Sequence, residues 1–194
     1  MRRIVLTGGP GAGKSTVAAR LVASDPDRFV CIPEAASQVY TALATRWDRI
    51  DTAGRCDVQR RIYALQIEQE QRFAQQYPDK IHLLDRGTID GSAYWPFGAD
   101  DYWRQLQTTW QREADRYDLV IWMQTCAALG LYDADASNPC RHEDAPAAIA
   151  TGQKLYDVWA GHPRLVKIDA RPTLEEKVEA VRRLIVDSES RVAR

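Results

Sequence analysis

The hydrophobic residues of the chain follow two patterns that alternate along the sequence. Short, mostly apolar runs such as Ile81-His82-Leu83-Leu84 and Leu119-Val120-Ile121-Trp122 are separated by longer segments in which apolar residues recur at helical spacing. Runs of this kind are typical of strands buried on both faces of a parallel sheet. The pattern predicts five strands, at about residues 2–7, 28–32, 80–84, 118–123 and 164–169.

The segments between the strands predict helices. Thr173 and Glu176 form a capping box at the start of the last one, directly after Pro172. Strands that alternate with helices indicate an α/β fold with a parallel sheet. The predicted helices cover about residues 14–24, 34–45, 57–77, 100–115, 143–160 and 173–188.

Two longer loops are predicted. Residues 47–54 are polar, and residues 125–141 are rich in residues that favour turns. A long loop late in an α/β domain is a natural place for a lid over a ligand. We therefore expect a lid-like segment at about residues 125–142.

Composition bounds the class of protein. The chain has 194 residues, which predicts one domain over residues 1–194 with a sizeable core, and its net charge is −1. This charge gives no general attraction to nucleic acid or to an anionic membrane. No apolar run is long enough to span a bilayer, and the N-terminus lacks the apolar core of a signal peptide, so we expect a cytoplasmic protein. The oligomeric state is left open.

One motif carries most of the chemical information. An eight-residue run follows the apolar stretch Ile4-Val5-Leu6 and fits the phosphate-loop pattern GxxxxGK[ST] at every fixed position. Backbone N–H groups of such a loop, together with the next helix N-terminus, bind phosphate oxygens. In such a loop, we expect Lys14 to reach the β- and γ-phosphates and the Ser15 hydroxyl to ligate Mg²⁺. The predicted nucleotide-binding residues are Gly8, Gly9, Pro10, Gly11, Ala12, Gly13, Lys14, Ser15 and Thr16.

Acidic residues follow two other predicted strands, and an arginine accompanies one of them. Asp85 ends the third strand, where a carboxylate can hold Mg²⁺, or can simply cap the next turn. Arg86 can grip a phosphate or a reacting oxygen, or can pair with an acid inside the fold. Glu34 follows the second strand and can orient a hydroxyl for in-line attack, or can stabilise a helix N-terminus.

Other residues allow two interpretations each. Arg141 ends the lid-like segment, where it can stabilise transferring phosphate or lie on the surface, and Arg171 follows the fifth strand, where it can stack on a base or face solvent. Asp90 can orient a substrate or cap a helix. Tyr94 and Trp95 follow the Asp85 motif closely enough to line a substrate pocket. The set Cys126, Cys140 and His142 is a poor zinc site because its spacing is irregular.

The order of these motifs resembles a known family. The phosphate loop, Pro33-Glu34-Ala35-Ala36, Leu84-Asp85-Arg86-Gly87 and Arg141-His142-Glu143 resemble small AAA-labelled P-loop domains related to the nicotinamide riboside kinase part of the bacterial NAD regulator. The layout is more distantly similar to deoxynucleoside kinases. The resemblance implies a three-layer P-loop NTPase fold with strand order 2-3-1-4-5 and helices on both faces. It also implies a lid carrying Arg141, Glu34 as base, Asp85 as Mg²⁺ ligand and Arg86 as the residue that binds substrate phosphate.

Two functions follow from this sequence. The first is a small-molecule kinase that uses ATP with Mg²⁺ and transfers the γ-phosphate to a hydroxyl of a nucleoside, a riboside or a similar acceptor. The second is a nucleotide-dependent binding protein or switch with slow hydrolysis. Val166-Lys167-Ile168-Asp169 lacks the Asn of a guanine-binding motif, which favours ATP although GTP stays an alternative. An ATPase that acts on nucleic acid is least favoured, because no basic surface pattern is present.

Overall fold

A five-stranded parallel sheet forms the centre of the protein in a computed structural model, which describes residues 1–132 and 144–190. The strands are β1 (Arg2–Thr7), β2 (Phe29–Ile32), β3 (Ile81–Asp85), β4 (Leu119–Met123) and β5 (Leu165–Ile168). Their order in the sheet is β2-β3-β1-β4-β5, as the resemblance implied. Leu6 of the central strand β1 pairs with Asp85 of β3, and Ile4 pairs with Leu119 of β4.

Seven α-helices and three short 3₁₀ helices are present in residues 1–132 and 144–190. The α-helices are α1 (Lys14–Ser24), α2 (Ala35–Ala42), α3 (Thr52–Gln76), α4 (Ala99–Gln105), α5 (Trp110–Ala114), α6 (Ala145–Trp159) and α7 (Leu174–Ser190). The 3₁₀ helices are Trp47–Arg49, Thr88–Tyr94 and Cys126–Leu129. No helix in this part of the chain combines the length and the apolar character needed to cross a membrane.

Alternating side chains of the strands build two apolar layers. On one face of the sheet, Leu6 packs with residues of α1 and α7, including Leu21 and Ile185. On the other face, Val5 packs with Trp159 of α6 and Phe73 of α3. Helices therefore cover both faces, and the loops that follow the parallel strands meet at one edge of the sheet.

Two predictions about helices are wrong in detail. The single helix expected over 100–115 is broken into α4 and α5, because Gln107 adopts a left-handed φ of +53° and the Thr109 side chain caps a new helix by accepting from Arg112 N at 3.2 Å. The polar loop expected over 47–54 is partly helical. It contains the 3₁₀ helix Trp47–Arg49 and the start of α3, which the Asp51 side chain caps through Gly54 N at 2.8 Å.

The lid-like segment is only partly described. Its first residues form the 3₁₀ helix Cys126–Leu129. Residues 133–143, which include Arg141, Cys140 and His142, lie outside the described residues.

Candidate active site

The phosphate loop connects β1 to α1 with backbone conformations that glycine allows. Gly8, Gly11 and Gly13 all have positive φ, and a Cβ at Gly8 would lie 2.2 Å from the carbonyl oxygen of Met123. Helix α1 begins at Lys14 without a side-chain cap from the described residues and without an acid in its first turn. The positive end of the helix dipole therefore suits an anion at this position.

Lys14 lies across this loop. Its side chain is buried, and Nζ donates to the carbonyl oxygens of Gly8 at 3.0 Å and Gly9 at 3.1 Å. These contacts hold the ammonium against the backbone of the phosphate loop. The arrangement concentrates positive charge where a polyphosphate would bind.

Asp85 and Ser15 form the second part of the site. The Ser15 hydroxyl donates to Asp85 Oδ2, while Asp85 Oδ1 is buried and has no hydrogen-bond partner in the described part of the chain. Burial raises the pKa of the Asp85 carboxyl, and the Lys14 ammonium opposes that rise. A buried carboxylate oxygen left without a donor, next to a serine hydroxyl, fits the oxygen ligands that Mg²⁺ prefers.

Arg86 joins two acids at the neighbouring strand end. Its Nε donates to Glu34 Oε1 at 2.6 Å, and its Nη1 donates to Asp90 Oδ1 at 3.1 Å. Its Nη2 is buried without a hydrogen-bond partner among residues 1–132 and 144–190. Glu34 Oε2 also accepts from the Ser37 hydroxyl at 2.5 Å. The structure thus brings together the acid that follows β2 and the arginine that follows β3.

Both carboxylate oxygens of Asp90 accept hydrogen bonds from within the protein. Its two oxygens accept from Thr7 Oγ1 at 2.6 Å, Gly87 N at 3.0 Å, Trp159 Nε1 at 3.1 Å and Arg86 Nη1. The sequence allowed Asp90 either to orient a substrate or to cap a helix. These contacts agree with capping, because four donors leave little acceptor capacity for a substrate hydroxyl.

A cavity of about 360 Å³ opens beside Glu34 and Arg86 and reaches the phosphate loop at Pro10. Tyr94 lines it, as expected, whereas Trp95 is buried in a separate apolar cluster with Cys56 and Tyr102. The other lining side chains come mainly from α2, α3, α6 and the 3₁₀ helices, and include Tyr40, Trp47, Asp48, Gln59, Tyr63, Gln66, Thr151 and Lys154.

Sequence reasoning missed most of these lining residues. Gln59, Tyr63 and Gln66 recur at helical spacing on α3, so their common face was a signal that could have been found. Trp47 and Lys154 carried no comparable signal, because neither lies near a motif. Their place in the cavity depends on how α3 and α6 pack on the sheet.

Arg171 is not brought to this cavity. It is exposed on the loop after β5 and lines a separate groove of about 290 Å³ between β5 and α7. No cluster of three His, Cys, Asp or Glu side chains in the described ranges could hold a metal ion, and two members of the weighed zinc set lie outside those ranges.

Comparison with known proteins agrees with this architecture. A family model described as an AAA domain matches residues 3–177. The fold is similar to NadR in complex with NR (TM-score 0.65, 18% identity, 94% of this chain and 49% of that chain). It is equally similar to deoxyadenosine kinase from M. mycoides with bound dATP (TM-score 0.65, 13% identity, 94% and 98%).

A structure of NadR with NAD and AMP-PNP matches over the same shares of the two chains (TM-score 0.61, 17% identity, 94% and 49%). The chain therefore spans about half the length of NadR and nearly all of deoxyadenosine kinase. No curated protein matches the sequence at a significant level. At these identities, the structural matches establish a shared P-loop kinase-like fold.

Proposed function

The chain belongs to the AAA-domain family, and we propose that it is a kinase that transfers the γ-phosphate of ATP to a hydroxyl group of a small molecule. One observation carries this proposal. Glu34 and Arg86 are paired at 2.6 Å on the wall of a cavity that reaches the phosphate loop at Pro10. A carboxylate and a guanidinium next to a triphosphate site are suited to activating an acceptor and stabilising the transferred group.

The donor side of the proposed reaction uses the phosphate loop. Backbone N–H groups of residues 11–16 bind the β- and γ-phosphates, and Lys14 exchanges its contacts with Gly8 and Gly9 for phosphate oxygens. Ser15 and Asp85 would hold Mg²⁺, which neutralises charge on the phosphates when bound. GTP is a second possible donor in the same loop, because these contacts involve only the polyphosphate.

The acceptor side uses Glu34 as general base. The acceptor oxygen attacks the γ-phosphorus as its proton passes to the Glu34 carboxylate, and ADP leaves. Arg86 keeps Glu34 in place through Nε, which leaves Nη2 to bind an oxygen of the transferred group. Arg141 stays a proposal for stabilising the transferred phosphate. Arg171 stays a proposal for stacking on the nucleobase of the nucleotide.

The charges of the cavity favour an acceptor without a phosphate group. Glu34 and Asp90 together offset the charge of Arg86. The lining also includes Lys154 and Asp48, whose carboxylate is paired with Arg46 at 2.6 Å. The aromatic side chains of the lining suit a ring. A nucleoside or riboside fits this combination, and the solved relatives include NadR with NR and a deoxyadenosine kinase.

A transfer screen tests the proposal. Purified protein with Mg²⁺ and either ATP or GTP is assayed for nucleotide consumption with nucleosides, ribosides, small alcohols and nucleoside monophosphates. We expect a nucleoside or riboside to raise consumption well above the acceptor-free rate, and monophosphates to have no such effect. If no acceptor raises the rate, the kinase proposal fails in favour of a nucleotide-dependent switch.

Two substitutions separate the chemical step from nucleotide binding. Glu34→Gln keeps the shape of the side chain but removes the base, so we expect kcat to fall roughly 10²–10⁴-fold with nearly unchanged ATP affinity. Lys14→Ala removes phosphate contacts and should weaken ATP binding itself. Steady-state kinetics and direct nucleotide titration measure both. An unchanged kcat in Glu34→Gln would remove Glu34 from the role of base.

A further inference from the structure

Two aromatic side chains line the cavity beside Glu34 and Arg86 and contact each other. Trp47 belongs to the 3₁₀ helix between α2 and α3, and Tyr94 belongs to the one that follows β3. Their ring centroids lie 6.0 Å apart, with an angle of 70° between the ring planes. Aromatic rings attract other rings in offset or edge-to-face arrangements. The ring of an acceptor in this cavity therefore has Trp47 and Tyr94 as its aromatic contacts.

Each of these two rings already contacts a guanidinium group. Arg55 Cζ lies 4.5 Å from the centroid of the Trp47 ring, and Arg86 Cζ lies 5.8 Å from the centroid of the Tyr94 ring. The face of an aromatic ring attracts a cation that lies within about 6 Å of its centroid. A cationic ligand against Trp47 or Tyr94 would therefore be repelled by a guanidinium already bound to that ring.

Arg55 carries its charge without an ionic partner. It forms no ion pair in the described part of the chain, and its Nε is buried there without a hydrogen-bond partner. Arg55 also lies in the first turn of α3, where the helix dipole disfavours a cation. The stability of α3 therefore does not account for an arginine at this position, and its positive charge is left to act on a ligand near Trp47.

The carboxylates of the cavity lining do not balance this charge, because each is already paired with an arginine. Asp48 is paired with Arg46 at 2.6 Å. Glu34 and Asp90 are both paired with Arg86, at 2.6 Å and 3.1 Å. Within the described lining, an incoming cation thus meets no carboxylate that lacks a partner, whereas an uncharged ring needs none.

We propose that Arg55 selects the acceptor by charge, so that the cavity binds an uncharged ring and rejects a cationic one. Arg55 does not itself line the cavity and acts through Trp47, which does. The inference rests on the proposed function, because it concerns the acceptor of that reaction. It is tested by binding and does not need the transfer step.

The experiment compares two ligands of nearly the same shape by calorimetric titration in the presence of ADP and Mg²⁺. Nicotinamide riboside carries a pyridinium cation, and its reduced dihydropyridine form is uncharged. For the wild-type protein, we expect the uncharged form to bind at least about fivefold more tightly, since repulsion by one partly shielded charge gives a difference of this order.

Substitutions of Arg55 separate its charge from its packing. Arg55→Met should raise the affinity for the pyridinium form at least about threefold relative to the uncharged form, whereas Arg55→Lys keeps the charge and should retain the wild-type preference. Arg60→Met is the matched control. Arg60 lies on the same helix with its Cζ 5.3 Å from the ring centroid of Trp95, which is outside the cavity lining, so the ratio of the two affinities should not change.

The wild-type measurement alone can overturn the proposal, which keeps it testable if Arg55→Met does not fold. It is overturned if the pyridinium form binds as tightly as the uncharged form, or if neither form binds. It is also overturned if Arg55→Met and Arg60→Met change the ratio of affinities equally. A protein that shows the expected preference but transfers no phosphate to any acceptor would refute only the kinase proposal.

Discussion

Arg86 shows how contacts hold a single residue in an unfavourable backbone conformation. Its φ of +78° costs a non-glycine residue roughly 1–2 kcal/mol. The backbone N–H of Arg86 donates to Leu6 O at 3.1 Å, and the guanidinium is bonded to Glu34 and Asp90. The same bonds that offset this strain place the arginine on the cavity wall. Residues with strained backbone conformations often occur at functional sites.

Gly9 offers a sharp test of packing at the scale of one residue. A Cβ at this position would lie 2.5 Å from Ala148 O and 3.0 Å from Gly152 N, both backbone atoms of α6. We expect Gly9→Ala to lower the free energy of unfolding by roughly 1–3 kcal/mol and to weaken ATP binding, because α6 or the phosphate loop must shift. Chemical denaturation and nucleotide titration measure the two effects.

Gly98→Ala is the matched control for that substitution. Gly98 has a φ of +82°, but a Cβ there would meet no atom within 4 Å, so only local backbone strain of roughly 1–3 kcal/mol is expected. ATP affinity should not change in the control. Equal effects of the two substitutions on ATP binding would contradict the packing argument.

At the scale of elements, a buried polar network joins α3 and α5 to the segment that carries Arg86. The Tyr117 hydroxyl accepts from Thr88 N and donates to Glu70 Oε1, both at 2.9 Å. Thr88 Oγ1 donates to Glu113 Oε2 at 2.9 Å, and Thr88 O accepts from Tyr102. Every polar group of Thr88 is therefore bonded, which holds the chain two residues beyond Arg86.

Removal of one hydroxyl from this network is expected to affect both stability and turnover. Tyr117→Phe leaves the Thr88 amide without its acceptor and Glu70 with one donor fewer, so the free energy of unfolding should fall by about 1–3 kcal/mol. If the protein is a kinase, kcat should fall more than ATP affinity, because Arg86 moves. Tyr156→Phe is the control, because Tyr156 makes a ring contact with Trp122, and it should change stability by less than about 0.5 kcal/mol. A neutral Tyr117→Phe would contradict this role of the network.

At the scale of the whole molecule, the carboxyl ends of the parallel strands lie at one edge of the sheet, so the residues that follow different strands meet there. β1 leads into the phosphate loop, Asp85 ends β3, and Glu34 follows β2 by two residues. Since β3 lies between β1 and β2, these three groups come from neighbouring strands. The order of strands thus joins the phosphate loop to the cavity, as expected at the carboxyl edge of an open α/β sheet.

Two buried histidines predict how stability depends on pH. Burial lowers the pKa of His82, near Arg3, Glu70 and the N-terminal amine, and of His162, near Arg164. The unfolded chain therefore binds protons more readily at these sites, and stability is lost as pH falls through about 6.5, the ordinary histidine value, toward the lower folded pKa. Denaturation from pH 7.5 to 5.5 measures the loss.

The His82→Gln/His162→Gln double variant isolates the histidine contribution. Glutamine does not titrate, so the double variant should lose less stability than wild type over the same pH range. The comparison is needed because burial raises the pKa of the Asp85 carboxyl. The folded protein therefore binds a proton at Asp85 more readily than the unfolded chain, so this group increases stability as pH falls. Equal slopes in wild type and variant would rule out the histidines as the cause.

The sequence by itself determined what depends on neighbours along the chain. The phosphate loop can be read from glycines at fixed spacing before Lys14, and the five strands from apolar runs, because local sterics and side-chain periodicity act over a few residues. The resemblance added the strand order. The break between α4 and α5 was missed, because the periodicity continues through Gln107 although its backbone does not.

Only the tertiary structure decided which distant groups share one environment. Glu34 and Arg86 are 52 positions apart, and Lys177 and Ala12 are 165 apart, yet each pair forms a hydrogen bond. No local pattern marks Lys177 as buried, since a lysine in the first turns of a helix is ordinarily solvated. Burial of such a group depends on how α7 packs against the sheet, and this packing is set by contacts between elements far apart in the chain.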